Sequence, residues 1–161
     1  MNYLGHAAVA VYLGVSPQVT FGAMLPDLIK MSAPEVLERQ LFEIIDAFPL
    51  DHPLLLGTDL HRRTDQVFHQ HPQFLAWNAR LVKELRTRGV KKGPARAAAH
   101  IGVEMLLDSH YVKTPQLADG YYSALHFGCS WQAPLGSLKE SVIPTTHRVL
   151  AHMNEQGATI H

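Results

Sequence analysis

The sequence predicts an all-α fold, on three observations. Apolar residues recur at three-to-four spacing along most of the chain. Gly and Pro fall singly between those stretches, where they end one helix and start the next. The strict alternation of apolar and polar residues that marks a half-buried strand is nowhere sustained. The 161 residues correspond to one domain on a prior of roughly 150 residues per domain. The expectation is therefore a single helical domain over residues 1–161, a bundle of about seven helices.

Taken in order, Leu4, Ala8, Val11 and Tyr12 set the apolar face of a first helix that Gly14 stops, and Ser16-Pro17 caps and restarts the chain. A second segment runs from Pro17 to about Ile29. Ser32-Ala33-Pro34-Glu35 opens a third that ends near Phe48, before Pro49 and Pro53. Leu54 to His69 reads as a helix stopped by His71-Pro72, because the residue before a proline is pushed out of the α region. Phe74, Trp77, Leu81, Val82 and Leu85 give the next helix its apolar face as far as Gly89. From Gly93-Pro94 to about His110, Ala97, Ile101 and Met105 repeat at helical spacing. Gln116–Leu125 and Ser137–Asn154 complete the set, with Pro144 in the last and a loop expected over Phe127–Gly136.

Composition narrows the class. Hydrophobic residues make up 47% and charged residues 17%, too apolar for disorder, and no uncharged apolar run reaches the ~20 residues of a membrane span. Fourteen basic residues balance fourteen acidic ones, which argues against a nucleic-acid binder. The lone Cys129 forms no internal disulfide, and Met1-Asn2-Tyr3 lacks a basic start, so a reducing cytoplasm is the expected compartment. Charge is unevenly spread. Arg80, Lys83, Arg86, Arg88, Lys91, Lys92 and Arg96 face one acid, Glu84, whereas Asp27 to Asp51 holds six acids and two bases. Such a run is most often solvated surface; the functional alternative is steering of an anionic or acidic partner.

Histidine is the anomaly: there are eleven. His100, Glu104 and Asp108 stand at intervals of four on one expected helix, and each step of four drifts only ~40° around the axis, so they share a stripe. Neighbours in it can share an ion, but His100 and Asp108, ~12 Å apart along the axis, hardly can. One ion with an outer residue, or two ions, fits better. The apolar residues around the stripe expect part of it to turn inward, where a buried carboxylate needs a partner. His61 and Asp65 repeat the spacing, and His69 extends it. Two helices each offering such a stripe can build a metal site across a bundle core. His6 in the apolar first helix and Asp27 after Pro26 are isolated candidates; the bland alternatives are a satisfied core imidazole and a cap or turn residue. Mixed imidazole and carboxylate ligation suits Mn²⁺, Fe or Zn²⁺. There is no phosphate-binding glycine loop and no nucleophile elbow, and Cys129 has no base beside it in sequence.

The run Met1-Asn2-Tyr3-Leu4-Gly5-His6, then Gly22-Ala23-Met24-Leu25-Pro26-Asp27, then Gly57 with His61-Arg62-Arg63-Thr64-Asp65 and His71-Pro72, then the acidic helix ending at Asp108, resembles the acyl carrier protein phosphodiesterase family. The resemblance covers roughly the first 110 residues. It implies an all-helical fold like that of the HD-type metal-dependent phosphohydrolases, and release of 4′-phosphopantetheine from an acidic carrier protein with a divalent cation, Mn²⁺ first. His6, Asp27, His61, Arg62 and Asp65 match the family pattern. His69 and Glu104 each stand where the family has Asp, and Ser109 where it has His; His100 is a candidate to replace that imidazole.

The implied site is a metal centre drawn from His6, Asp27, His61, Asp65, His100, Glu104 and Asp108. His61 and Asp65 also serve the chemistry, Arg62 stabilises charge on the phosphoryl oxygens, and a His protonates the leaving alkoxide. Two alternatives stand beside it: a phosphohydrolase acting on a small phosphoester or nucleotide, and a non-catalytic helical protein with a structural or regulatory metal.

Overall fold

The computed structural model describes residues 1–32, 42–43, 45–46 and 48–130. Six helices lie in them and no strand: α1 Tyr3–Tyr12, α2 Pro17–Ser32, α3 Pro53–Gln70, α4 Pro72–Thr87, α5 Lys92–Tyr111 and α6 Pro115–Ser130. The all-α expectation holds for the described residues. The helices expected from Ser32 to Phe48 and from Ser137 to Asn154 lie largely or wholly outside them.

Local chemistry sets the joints. Gly14 (φ 69°) and Gly89 (φ 85°) follow α1 and α4 in the left-handed conformation that side chains resist. His71 ends α3 and at once caps α4, its Nδ1 accepting the Gln73 N–H at 3.2 Å while Pro72 occupies the first helical position. His52 does the same for α3, its Nδ1 accepting the Leu54 N–H at 3.3 Å beside Pro53.

The core joins α1, α2, α3 and α6 through Leu4, Phe21, Met24, Leu25, Leu54 and Tyr121. α2 runs against α3, and α6 packs across α1 and α2. The α2–α3 crossing is set by two glycines. A side chain on Gly57 would collide with the backbone of Val19 and Ala23, and one on Gly22 would meet Leu54 Cα at 2.9 Å. Pro26 lies inside α2 rather than before a turn. Lacking an N–H, it leaves the Gly22 carbonyl without a helical donor. The Thr58 hydroxyl of α3 lies 3.4 Å from that oxygen while donating to Leu54 O at 2.8 Å. Asp27 is therefore a helical residue, neither cap nor turn.

Three expectations are corrected. α6 continues through Phe127 to Ser130 where a loop was expected to begin, because Phe127 packs edge-on to Phe21 and Gly128 is buried against that ring. On α5 the inward face is Ala95, Ala99 and Val103, whereas Ile101, Met105 and Leu106 are exposed; the alanines allow close approach and turn the larger residues outward. Tyr12 of α1 is 87% exposed, and Trp77 of α4 is also exposed. α4 and α5 pack on each other, with Leu81 against Gly102. No helix among the described residues is long and apolar enough to cross a membrane.

Candidate metal centre

The close approach at Gly22 and Gly57 carries α3 past α2 so that His61, one turn beyond Gly57, meets the backbone of α2. Its Nδ1 lies 2.9 Å from Ala23 O. A carbonyl only accepts, so Nδ1 holds the proton and Nε2 keeps its lone pair. From α1, His6 stacks on His61 with ring centroids 3.8 Å apart. Asp65, one turn after His61, completes the group: its Oδ1 lies 3.1 Å from His6 Nε2, and its Oδ2 lies 3.7 Å from His61 Nε2. One ligand atom from each of the three falls within 4.8 Å of the others.

Burial sets the protonation. It pushes His61 down to about 3 and His6 below the ordinary imidazole range, so both are neutral ligands at pH 7. Burial would raise Asp65, but His6 and the Met1 amino group outweigh it and hold this carboxyl well below the usual range. Asp27, from α2, has Oδ2 at 3.8 Å from His6 Nε2. Burial pushes its carboxyl up to about 7, against the pull of Lys30, whose Nζ lies 3.9 Å from Oδ1.

Both ring nitrogens of His6, and Oδ2 of Asp27, are buried without a hydrogen bond. The His6 Nε2 approach to Asp65 is close enough but not aligned for one. Buried polar groups are seldom left so. Two neutral imidazoles, one of them oriented by a carbonyl, converge here with the Asp65 carboxylate, whose Oδ1 the Met1 ammonium now occupies at 2.6 Å, and the unbonded Asp27 Oδ2 lies beside them; that donor set fits a divalent ion.

The remaining expected residues separate. His100 and Glu104 meet not His61 but His69, at the far end of α3, with Glu104 Oε1 3.1 Å from His100 Nε2 and 3.3 Å from His69 Nε2. The Met1 nitrogen lies between the two groups, 2.6 Å from Asp65 Oδ1 and 3.1 Å from both His69 Nε2 and Glu104 Oε1. Asp108 joins neither group. Its Oδ2 accepts from Asn2 Nδ2 at 2.6 Å, and burial pushes its carboxyl up to about 6. Arg62 points away, as a residue one step from His61 on a helix must. It bonds Asp46 and Asp59 at 2.8 Å each and covers the Phe42 ring at 4.1 Å. Ser109 is exposed and donates to Leu106 O. The contribution of Phe74, whose ring borders both His69 and His100, had no signal in the sequence beyond its place on an apolar face. No protein family, curated protein or solved structure matches the chain.

Proposed function

We propose that this protein is a metal-dependent phosphodiester hydrolase whose centre is His6, His61 and Asp65, with Asp27 beside them. The observation that carries the reading is the convergence of two buried, neutral imidazoles and a carboxylate on one point, with His61 held in a ligand-ready tautomer by Ala23 O. Mn²⁺ is the first candidate, Fe or Zn²⁺ the next. A bound ion of this kind supplies an acidified water and polarises a phosphoryl oxygen. The chain's own part is to present His61 Nε2 unprotonated and His6 as a neutral ring beside it, to set Asp65 against both, and to keep Asp27 within reach. Arg62, held by Asp46 and Asp59, fits a positioning role on α3 better than contact with substrate.

Among phosphodiesters, the sequence resemblance favours 4′-phosphopantetheine on an acidic carrier protein. Two features support a macromolecular partner over a small phosphoester. All seven basic residues from Arg80 to Arg96 are exposed. Arg80 and Glu84 also line an apolar cleft of about 440 Å³ between α4 and α5, with Trp77, Leu81, Val103, Leu106 and Leu107. An exposed basic segment speeds encounter with an acidic protein, and an apolar cleft beside it retains the partner.

The test is metal content of protein purified without added metal or chelator, together with turnover of bis(p-nitrophenyl) phosphate and of phosphopantetheinylated carrier protein. Stoichiometric metal and metal-dependent cleavage, both lost in His61→Ala and Asp65→Ala, are expected. Metal bound without cleavage of either substrate would leave the non-catalytic reading, and a wild type that takes up no Mn²⁺, Fe²⁺ or Zn²⁺ would remove the centre altogether.

A further inference from the structure

Outside the hydrolytic centre, a second group of ligand side chains has no part in that chemistry. His69 sits in the last turn of α3, and His100 and Glu104 lie one turn apart on α5. One ligand atom from each falls within 4.8 Å of the other two. The two imidazoles stack with centroids 4.9 Å apart at 28°. Both turn a face or edge to Phe74, at 5.3 Å in each case, and Phe74 is only 4% exposed. A buried aromatic ring at the start of α4 thus orients both imidazoles, as a metal site requires of its surroundings. Both Nε2 atoms point at the same oxygen, Glu104 Oε1, at 3.3 and 3.1 Å. With both Nε2 atoms unprotonated, their lone pairs and that oxygen converge on one point, which the Met1 ammonium already approaches, at 3.1 Å from both His69 Nε2 and Glu104 Oε1.

We propose that His69, His100 and Glu104 form a second, separate cation site that takes Zn²⁺ or an ion of similar softness. Two imidazoles and one carboxylate are a tetrahedral Zn²⁺ set with one position open, and imidazole-rich ligation favours Zn²⁺ over Mn²⁺. The ligands are part-exposed, at 31% for His69, 43% for His100 and 12% for Glu104, so the open position faces solvent and the ion exchanges more readily than one at His6 and His61. The Met1 nitrogen would give up its contacts with His69 and Glu104 to the ion. The site also has a structural consequence. The backbones of α3 and α5 do not pack closely on each other, so an ion held by His69 from one and His100 and Glu104 from the other ties together helices joined there only by side chains.

The experiment titrates metal-stripped, full-length protein with Zn²⁺ alone, reading bound equivalents and the accompanying rise in Tm. Wild type, His61→Ala, His100→Ala and Glu104→Gln are compared; the last two change part-exposed side chains and leave the core alone. Two equivalents in wild type and one in both His100→Ala and Glu104→Gln are expected, with the Tm rise smaller in those two variants. If wild type binds one equivalent that His100→Ala abolishes, this site stands and the hydrolytic centre falls. Undiminished binding in His100→Ala and Glu104→Gln overturns this site, whatever becomes of the other. A wild type that binds no Zn²⁺ overturns it too.

Discussion

Two clusters of two imidazoles and a carboxylate each lie side by side along the α3 stripe, with Asp65 Oδ1 3.9 Å from His69 Nδ1, and differ in what surrounds them. The group at His6, His61 and Asp65 is built from α1 and α3 against α2, and its imidazoles are shielded from solvent and neutral. The group at His69, His100 and Glu104 lies in the mouth between α3 and α5, open to water on one side. Similar side chains therefore sit in a closed setting in one place and in an accessible one in the other. Ligand type alone does not set a site's behaviour; desolvation and the neighbours that orient each ring do.

The comparison is broken most severely at the helix crossing. Gly57→Leu drives a side chain into the Val19–Ala23 backbone and should cost about 3 kcal/mol or more, read by chemical denaturation. The closed centre should lose its metal while any protein that still folds keeps the open group's ligands. A smaller loss of stability accompanied by unchanged metal content at both groups would show that the crossing does not position His61.

Next comes ligand removal at the closed centre. Asp65→Ala removes the carboxylate between His6 and His61, and a loss of ~100-fold or more in metal affinity is expected, on the scale seen even for outer groups. Calorimetric titration checks it. The same substitution should weaken the open group by far less.

Protonation sharpens the contrast, because Asp27 and His61 of the closed centre are both strongly shifted. Asp27 is raised to about 7 in the metal-free fold, against ~3.9 unfolded. Its contribution to stability is present below pH ~4 and is lost as pH rises through about 7, since the native state holds the extra proton. His61, lowered to about 3 against ~6.5 unfolded, acts in the opposite sense: its contribution is present above pH ~6.5 and lost as pH falls through about 3. Between those limits the two oppose each other, so wild type and Asp27→Asn should diverge. Asp27→Asn should lose the downward arm, gaining up to a few kcal/mol relative to wild type between pH 5 and pH 8 on a scale of ~1.4 kcal/mol per unit. Parallel stability curves for the two metal-free proteins would rule this out.

The smallest effects lie outside both clusters. Arg62→Ala breaks pairs that are partly exposed and should cost on the order of 1 kcal/mol or less, with metal content unchanged; a large fall in kcat at constant KM would return Arg62 to the substrate. Lys91→Glu with Lys92→Glu should leave stability within ~0.5 kcal/mol and raise KM for an acidic carrier protein several-fold while flattening its salt dependence. An unchanged KM would end the docking role of the basic segment.

Much of this was legible in the chain, and the reasons for the exceptions are physical. His61, Asp65 and His69, and likewise His100 and Glu104, could be placed on shared faces because helical spacing is local. Asp108 shows the limit of that logic. It lies on the same stripe as Glu104, yet one further turn carries it to Asn2. Ile101, Met105 and Leu106 have helical spacing and the hydrophobicity of a core face, but they are exposed, because periodicity does not say which of two faces finds a neighbour. Asp27 after Pro26 could be read as a cap or turn residue, but both sit within α2, where Thr58 of another helix lies beside the carbonyl that the missing N–H of Pro26 leaves free.

Helix existence, the joints at Gly14, His71-Pro72 and Gly89, and the pairing of ligands one turn apart were determined by the chain alone, because each depends on residues within a few positions of one another. Which stripe is buried, which histidines meet and which tautomer His61 adopts were decided only by tertiary packing. His6 and His61 are far apart in sequence, and they stack because α2 and α3 can approach at Gly22 and Gly57 and bring Ala23 O against an imidazole. Desolvation, which makes these two rings neutral ligands, is a property of that packed assembly and of no segment within it.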